Sequence, residues 1–181
     1  MKRALAISFG FVAAITVVWL ATVALAEIFN YPLVQFGILP RSLRGLIGIL
    51  FSPFLHGDAK HLGANAAPLF VLLTILFWNL GYRPASSLAL IWFGSGLGTW
   101  LIGRGETWHI GASGLIYGLA AYLIAAGFLM KSWRSAIIAV VIFFLYGGIF
   151  WGVLPQDAHV SWEGHLSGAF AGIWAARKAH R

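Results

Sequence analysis

Three short clusters carry most of the polar chemistry of this chain. The first runs His56-Gly-Asp-Ala-Lys-His61 and on to Asn65; the second is His109-Ile-Gly111-Ala-Ser113-Gly114, followed by Tyr117 and Gly118; the third is Glu163-Gly164-His165, followed by Gly168 and Gly172. A serine hydroxyl beside an imidazole is an activated nucleophile, and a neutral imidazole is what a general base requires. His61 and Asn65 are four residues apart and share a helix face, and the Asn65 amide can donate hydrogen bonds. Ser113 sits at the start of an apolar run, where unpaired backbone N–H groups and the helix dipole favour developing negative charge. Gly111 and Gly114 leave room for another backbone to approach. Gly164, Gly168 and Gly172 recur every four residues, as Gly114 and Gly118 do, which makes close-packing stripes. Each cluster alone has a plainer explanation. Ser113 is a common type of helix N-cap, the glycines serve packing, and the histidines and Asn65 lie at an interface.

The elements that would position these residues are membrane spans. The chain has 181 residues, 60% hydrophobic and only 9% charged, against about 25% charged in a soluble domain. About 20 apolar residues cover the hydrocarbon core, and six candidate spans read at roughly 4–26, 61–80, 85–103, 113–130, 134–153 and 164–178. The fold class expected is an all-α membrane protein, a six-transmembrane-helix bundle with a long first outer loop over 27–60. That loop is apolar enough to lie partly in the interface; an ordinary structured loop is the alternative. Residues 1–181 read as one integral-membrane domain, with no separate soluble domain, low-complexity segment or internal repeat. Met1-Lys2-Arg3 and the following apolar run resemble a signal peptide, with Ala24-Leu25-Ala26 as a cleavage site. The run from Ala4 to Ala26 exceeds the roughly 7–15 residues of a signal core, so a retained first span is expected and cleavage is the alternative.

Charge sets the orientation. With a cytoplasmic N-terminus, Lys2, Arg3, Arg83, Lys131, Arg134, Arg177, Lys178 and Arg181 fall inside, and Arg41, Arg44, Lys60 and Arg104 outside. Basic residues favour the cytoplasmic side, so both termini are expected there; the formal charge of +7 reads as topology rather than nucleic-acid binding. Glu27, Asp58, Glu106, Asp157 and Glu163 then lie outside. His61, Ser113 and His165 open spans two, four and six, so all three clusters fall at similar depth on the outer side. If span six packs on span four, His165 reaches Ser113. His61, Asn65 and the Ser113 N–H are then candidates for an oxyanion hole. Glu163 is two residues from His165 and points elsewhere on a helix, so a Ser–His dyad is expected rather than a triad. There is no cysteine, hence no thiolate chemistry or disulfide framework.

Together these residues resemble the rhomboid family of intramembrane serine proteases, over nearly the whole chain. The resemblance rests on His61-x-x-x-Asn65, on Gly111-Ala-Ser113-Gly114 with Tyr117, and on Gly164-His165 with Gly168 and Gly172. It implies Ser113 as nucleophile and His165 as base, with His61 and Asn65 supporting the oxyanion. It further implies Tyr117 packed on the His165 ring and Gly111 shaping the loop into span four. The implied substrates are transmembrane segments of other proteins; no metal, organic cofactor or nucleic acid is implied. The implied location is the bacterial inner membrane. The first outer loop would be a structured, membrane-embedded element, and span five with the following loop a gate and cap. One feature departs: many bacterial relatives carry a Trp-Arg pair in the first outer loop, which here has Arg41 and Arg44 but no Trp. An inactive relative that binds and escorts membrane proteins is one alternative, although such relatives usually lack the serine or histidine. A transporter or channel using His61, His109 and His165 as a proton or metal path is another, but the spans hold almost no carboxylates. A zinc peptidase would show a denser motif such as H-E-x-x-H.

Overall fold

The computed structural model describes residues 1–30, 32–155 and 160–181, with the side chains of 149 and 150 also left aside; Asp157 therefore lies outside the described residues. The described residues form six long α-helices and one short one: α1 (Lys2–Phe29), α2 (Gly48–Phe51), α3 (Ala59–Trp78), α4 (Pro84–Ile102), α5 (Ser113–Leu129), α6 (Trp133–Tyr146) and α7 (Trp162–Ala179). No strand occurs among the described residues beyond one isolated antiparallel bridge, Ile38 to His109. Lys2–Phe29, Ala59–Trp78 and Leu80–Ile102 are long and apolar enough to cross a bilayer on their own. Phe9, Val17, Phe93, Phe128, Phe144 and Phe170 all face outward and are more than half exposed. An apolar exterior of this extent suits hydrocarbon rather than water.

Helix ends follow local chemistry. The Asp58 carboxylate accepts the His61 N–H at 2.7 Å and caps α3. Pro84 starts α4 at a position where no N–H is needed. The span expected over 134–153 stops being α-helical at Tyr146 and continues as a 3₁₀ segment over Gly147–Val153. Two consecutive glycines, each about 1 kcal/mol poorer than alanine in a helix, mark the change. The 14 α-helical residues rise about 21 Å, and the stretched 3₁₀ segment supplies the remaining reach.

At the centre stands α5, with ten of its 17 residues buried. Its principal partner is α7, which wedges between α5 and α4. The contact is made by glycine. A Cβ on Gly168 would collide with the Gly114 backbone, one on Gly172 with Gly118 O, and one on Gly118 with both Ile91 and Gly168 O. On its other side α7 meets Gly94 through Ala171 and Gly98 through Ser167. The backbones therefore touch without intervening side chains, the arrangement that small-residue stripes permit in a bilayer.

The long loop before α3 is not loosely draped. Trp92 Nε1 donates to Ile49 O at 2.9 Å and Trp100 Nε1 to Ser42 O at 2.9 Å. Arg41 Nη1 donates to Leu101 O at 3.0 Å and Gly103 O at 2.8 Å, closing the C-terminal carbonyls of α4. Two indoles of α4 and the Arg41 guanidinium thus tie the loop to α4.

Gly168→Ala is expected to destabilise the fold by about 1–3 kcal/mol, the usual cost of overpacking. Gly10→Ala and Gly63→Ala, where a Cβ meets nothing within 4 Å, are expected to be neutral or slightly stabilising. Thermal unfolding in detergent reads the difference; equal behaviour of the three variants contradicts the glycine contact.

Candidate active site

The polar site lies where α3, α5 and α7 begin. Ser113 is the first residue of α5; the N-cap is Ala112, and no side chain caps that end. The serine hydroxyl is therefore not spent on capping. It lies 2.9 Å from His165 Nε2. His165 is only 7% exposed, and its other ring nitrogen, Nδ1, lies 2.8 Å from Gly152 O. A neutral imidazole can face a carbonyl only with its N–H. The proton therefore sits on Nδ1, and Nε2 presents a lone pair to the Ser113 hydroxyl. Tyr117, one turn along α5, stacks on the His165 ring with centroids 3.9 Å apart and planes 9° apart. The imidazole is thus fixed by a carbonyl on one edge and an aromatic face beneath.

The other candidates are arranged around this pair. Gly111 has φ +106°, a conformation L side chains rarely adopt, and a Cβ there would lie 2.6 Å from His61 Nε2. The ring of His61 therefore covers the turn into α5. Gly111 N–H is taken by Ser52 O at 2.9 Å. The first helical bond of α5 runs from Ile116 N to Ala112 O at 3.1 Å, so the N–H groups of Ser113, Gly114 and Leu115 precede it. Asn65 is buried and its Nδ2 donates to His61 O, one turn back, at 2.7 Å. One amide proton is thus committed within α3 and the second is left for another acceptor. Gly114, Gly118, Gly164, Gly168 and Gly172 line the α5–α7 and α4–α7 contacts.

Several further residues surround the pair. Glu163 is fully buried and bonds Arg104 Nε at 2.7 Å and Arg104 N–H at 3.2 Å, while Arg104 Nη2 donates to Val160 O at 2.6 Å. Glu163 therefore pairs with Arg104, while Nδ1 of His165 meets a carbonyl. Gly152 supplies that carbonyl, and its role is invisible in sequence because any residue has one. What singles it out is space: a Cβ there would strike the Tyr117 hydroxyl. His109 is buried, with Nδ1 2.6 Å from Ser161 Oγ. Burial holds its imidazole below the usual histidine range. His56 packs edge-on to His61 with centroids 5.0 Å apart. Burial, aided by that neighbour, pushes His56 down to about 4, so it is neutral at pH 7. No group of three or more potential metal ligands occurs among the described residues.

The fold and site together define a helical integral-membrane protein with a paired serine and histidine at one end of its bundle. The Rhomboid domain model matches residues 43–181, and the chain belongs to the rhomboid family. It is 47% identical over 148 residues to an uncharacterized protein of Mycobacterium tuberculosis and to one of Mycobacterium bovis, covering 77% of this chain and 62% of each of those proteins. An uncharacterized protein of Mycobacterium leprae is 42% identical over 140 residues, 72% of this chain and 55% of that one. The chain thus spans about three fifths of the length of the curated relatives it matches.

Removing one partner of a buried ion pair strands the other charge, at about 3–5 kcal/mol. Because Arg104 is 35% exposed, Arg104→Met is expected near the lower end, about 3 kcal/mol. Adding Glu163→Gln is expected to recover part of it. Chemical unfolding of the two single variants and the double checks this; simple additivity contradicts a buried pair.

Proposed function

We propose that the protein is an intramembrane serine endopeptidase that cuts transmembrane segments of other membrane proteins. The observation that carries this is the Ser113 Oγ to His165 Nε2 separation of 2.9 Å, with Nδ1 held by Gly152 O. Ser113 attacks the scissile carbonyl as His165 takes its proton, forming a tetrahedral oxyanion and then an acyl-enzyme. His165 returns the proton to the leaving amine. It next activates a water, which attacks the ester and releases Ser113. The oxyanion is stabilised by N–H groups at the start of α5, helped by the α5 dipole, and by His61 and the uncommitted amide proton of Asn65. Gly111 keeps the approach to Ser113 open beneath the His61 ring. The family is typically made of intramembrane serine proteases, and the retained serine and histidine favour activity over an escort role.

The substrate segment comes from the bilayer beside α6. That helix buries only Ser135, Ala139 and Ile142, while Ile137, Val140, Val141, Phe143, Phe144 and Leu145 face out. The 3₁₀ segment after α6 carries Gly152, so the route in adjoins the element that orients the base. Residues 1–181 form one membrane catalytic domain in the inner membrane, with both termini cytoplasmic and the site toward the outer side. The eight-to-four distribution of basic residues supports that orientation.

In liposomes with a fluorescent transmembrane substrate, Ser113→Ala and His165→Ala are each expected to lower the rate at least 10³-fold, the scale of dyad loss, with the fold intact. Asn65→Ala is expected to cost about 10²- to 10³-fold in kcat, as loss of an oxyanion donor does. Cleavage that survives Ser113→Ala, or that a chelator abolishes, contradicts the serine mechanism.

A further inference from the structure

A second serine–histidine pair lies beside the first, with the helices exchanged. His109 precedes Ser113 by four residues and Ser161 precedes His165 by four. In the proposed dyad α5 gives the serine and α7 the histidine. In the outer pair the segment leading into α5 gives the histidine and the N-cap of α7 gives the serine. His109 Nδ1 lies 2.6 Å from Ser161 Oγ, and Nε2 lies 3.4 Å from Arg104 O. Facing a carbonyl, Nε2 carries the proton, so Nδ1 accepts from the Ser161 hydroxyl.

Three observations give this pair a task. Ser161 is the N-cap of α7, yet its side chain caps nothing; a residue type favoured for capping is turned to a distant histidine instead. His109 is also bound through its backbone to the long loop, with Ile38 N to His109 O at 2.9 Å and His109 N to Ile38 O at 2.8 Å. It thereby joins the long loop, the start of α5 and the start of α7. Finally, the α5–α7 contact is backbone on backbone at Gly114, Gly118, Gly168 and Gly172. Such a seam brings helices close but has few interdigitating side chains to stop one sliding along the other. A single polar contact in an apolar seam is an attested way to fix register.

We propose that the His109–Ser161 hydrogen bond is a latch that sets the axial register of α7 against α5, and so holds His165 Nε2 on Ser113. His109 and Ser161 are positioning residues and take no part in proton transfer. The inference rests on the proposed protease reading. The groups facing His109 are Ser161, the Arg104 carbonyl and guanidinium, and Glu163.

The test uses the full chain in liposomes with the same transmembrane substrate. His109→Phe, which keeps a ring but no nitrogen, is expected to lower kcat about 10- to 100-fold, the scale of a small misplacement of reacting groups, with KM unchanged. Ser161→Ala is expected to lower it equally, and the double variant no further, because one bond is lost once. His109→Asn places a polar atom near the Nδ1 position and is expected to restore most of kcat. Thermal unfolding of each variant identifies any that fails to fold; Ser161→Ala and His109→Asn change least and keep the question open to a result. Wild-type kcat in either single variant, multiplying effects in the double, or no rescue by asparagine overturns the latch. A rise in KM alone overturns it in favour of substrate contact. Ser113→Ala runs alongside: full cleavage there defeats the serine mechanism on which the latch rests, whereas its inactivity beside unimpaired latch variants defeats only the latch.

Discussion

Everything at this site depends on how closely α5 and α7 approach. A serine and a histidine 52 residues apart meet because glycines remove the side chains that would separate their helices. A single methyl at Gly168 would lie inside the Gly114 backbone. In water such a contact would draw on the hydrophobic effect. In lipid it rests on packing and on polar groups that find partners, so the shape of the seam and the few buried hydrogen bonds carry more of the specificity.

Those hydrogen bonds collect at one end of the bundle. The long loop is bound to α4 by Trp92, Trp100 and Arg41, and to the start of α5 through Ile38 and His109. The start of α7 is bound by Glu163 to Arg104. Loops that would otherwise be the softest part of a membrane protein are here tied to one another and to helix ends. The pair they enclose is oriented by groups with little freedom of their own. Gly152 O is backbone, and Tyr117 is held in α5. An imidazole fixed by a carbonyl rather than a carboxylate keeps its tautomer without an added charge beside it in the low-dielectric interior, where an unpaired carboxylate is costly.

The legible part of this molecule is what periodicity and charge encode. Long apolar runs give the helical membrane class, and the four-residue spacing of Gly164, Gly168 and Gly172 marks a close-packing face. Spacing alone could not say which helix that face meets. The six-helix rhomboid-like class agrees with the fold and with the family. Ser113 read equally well as an N-cap, and only the fold shows its hydroxyl turned to His165 while Ala112 occupies the cap. Asn65 read as an oxyanion-hole donor; the fold adds that one of its two amide protons serves its own helix. The Gly152 carbonyl and the His109–Ser161 pair were hidden because backbone carbonyls carry no side-chain signature and single polar residues in loops have too little pattern. The ties between the loop and α4 were hidden for a similar reason: the indoles of Trp92 and Trp100 lie on α4, and a linear motif does not register a partner supplied by another element.

The central claim is that Ser113 is a nucleophile made reactive by His165 across the α5–α7 seam. The most direct measurement is covalent: protein in native-like membranes is treated with a fluorophosphonate, and the adduct is mapped by mass spectrometry in wild type and in His165→Asn. The account predicts one adduct, on Ser113, forming at least 100-fold more slowly in His165→Asn, since base-assisted proton removal contributes about 10²–10⁴-fold. Labelling on another residue, or at the same rate without His165, would contradict it.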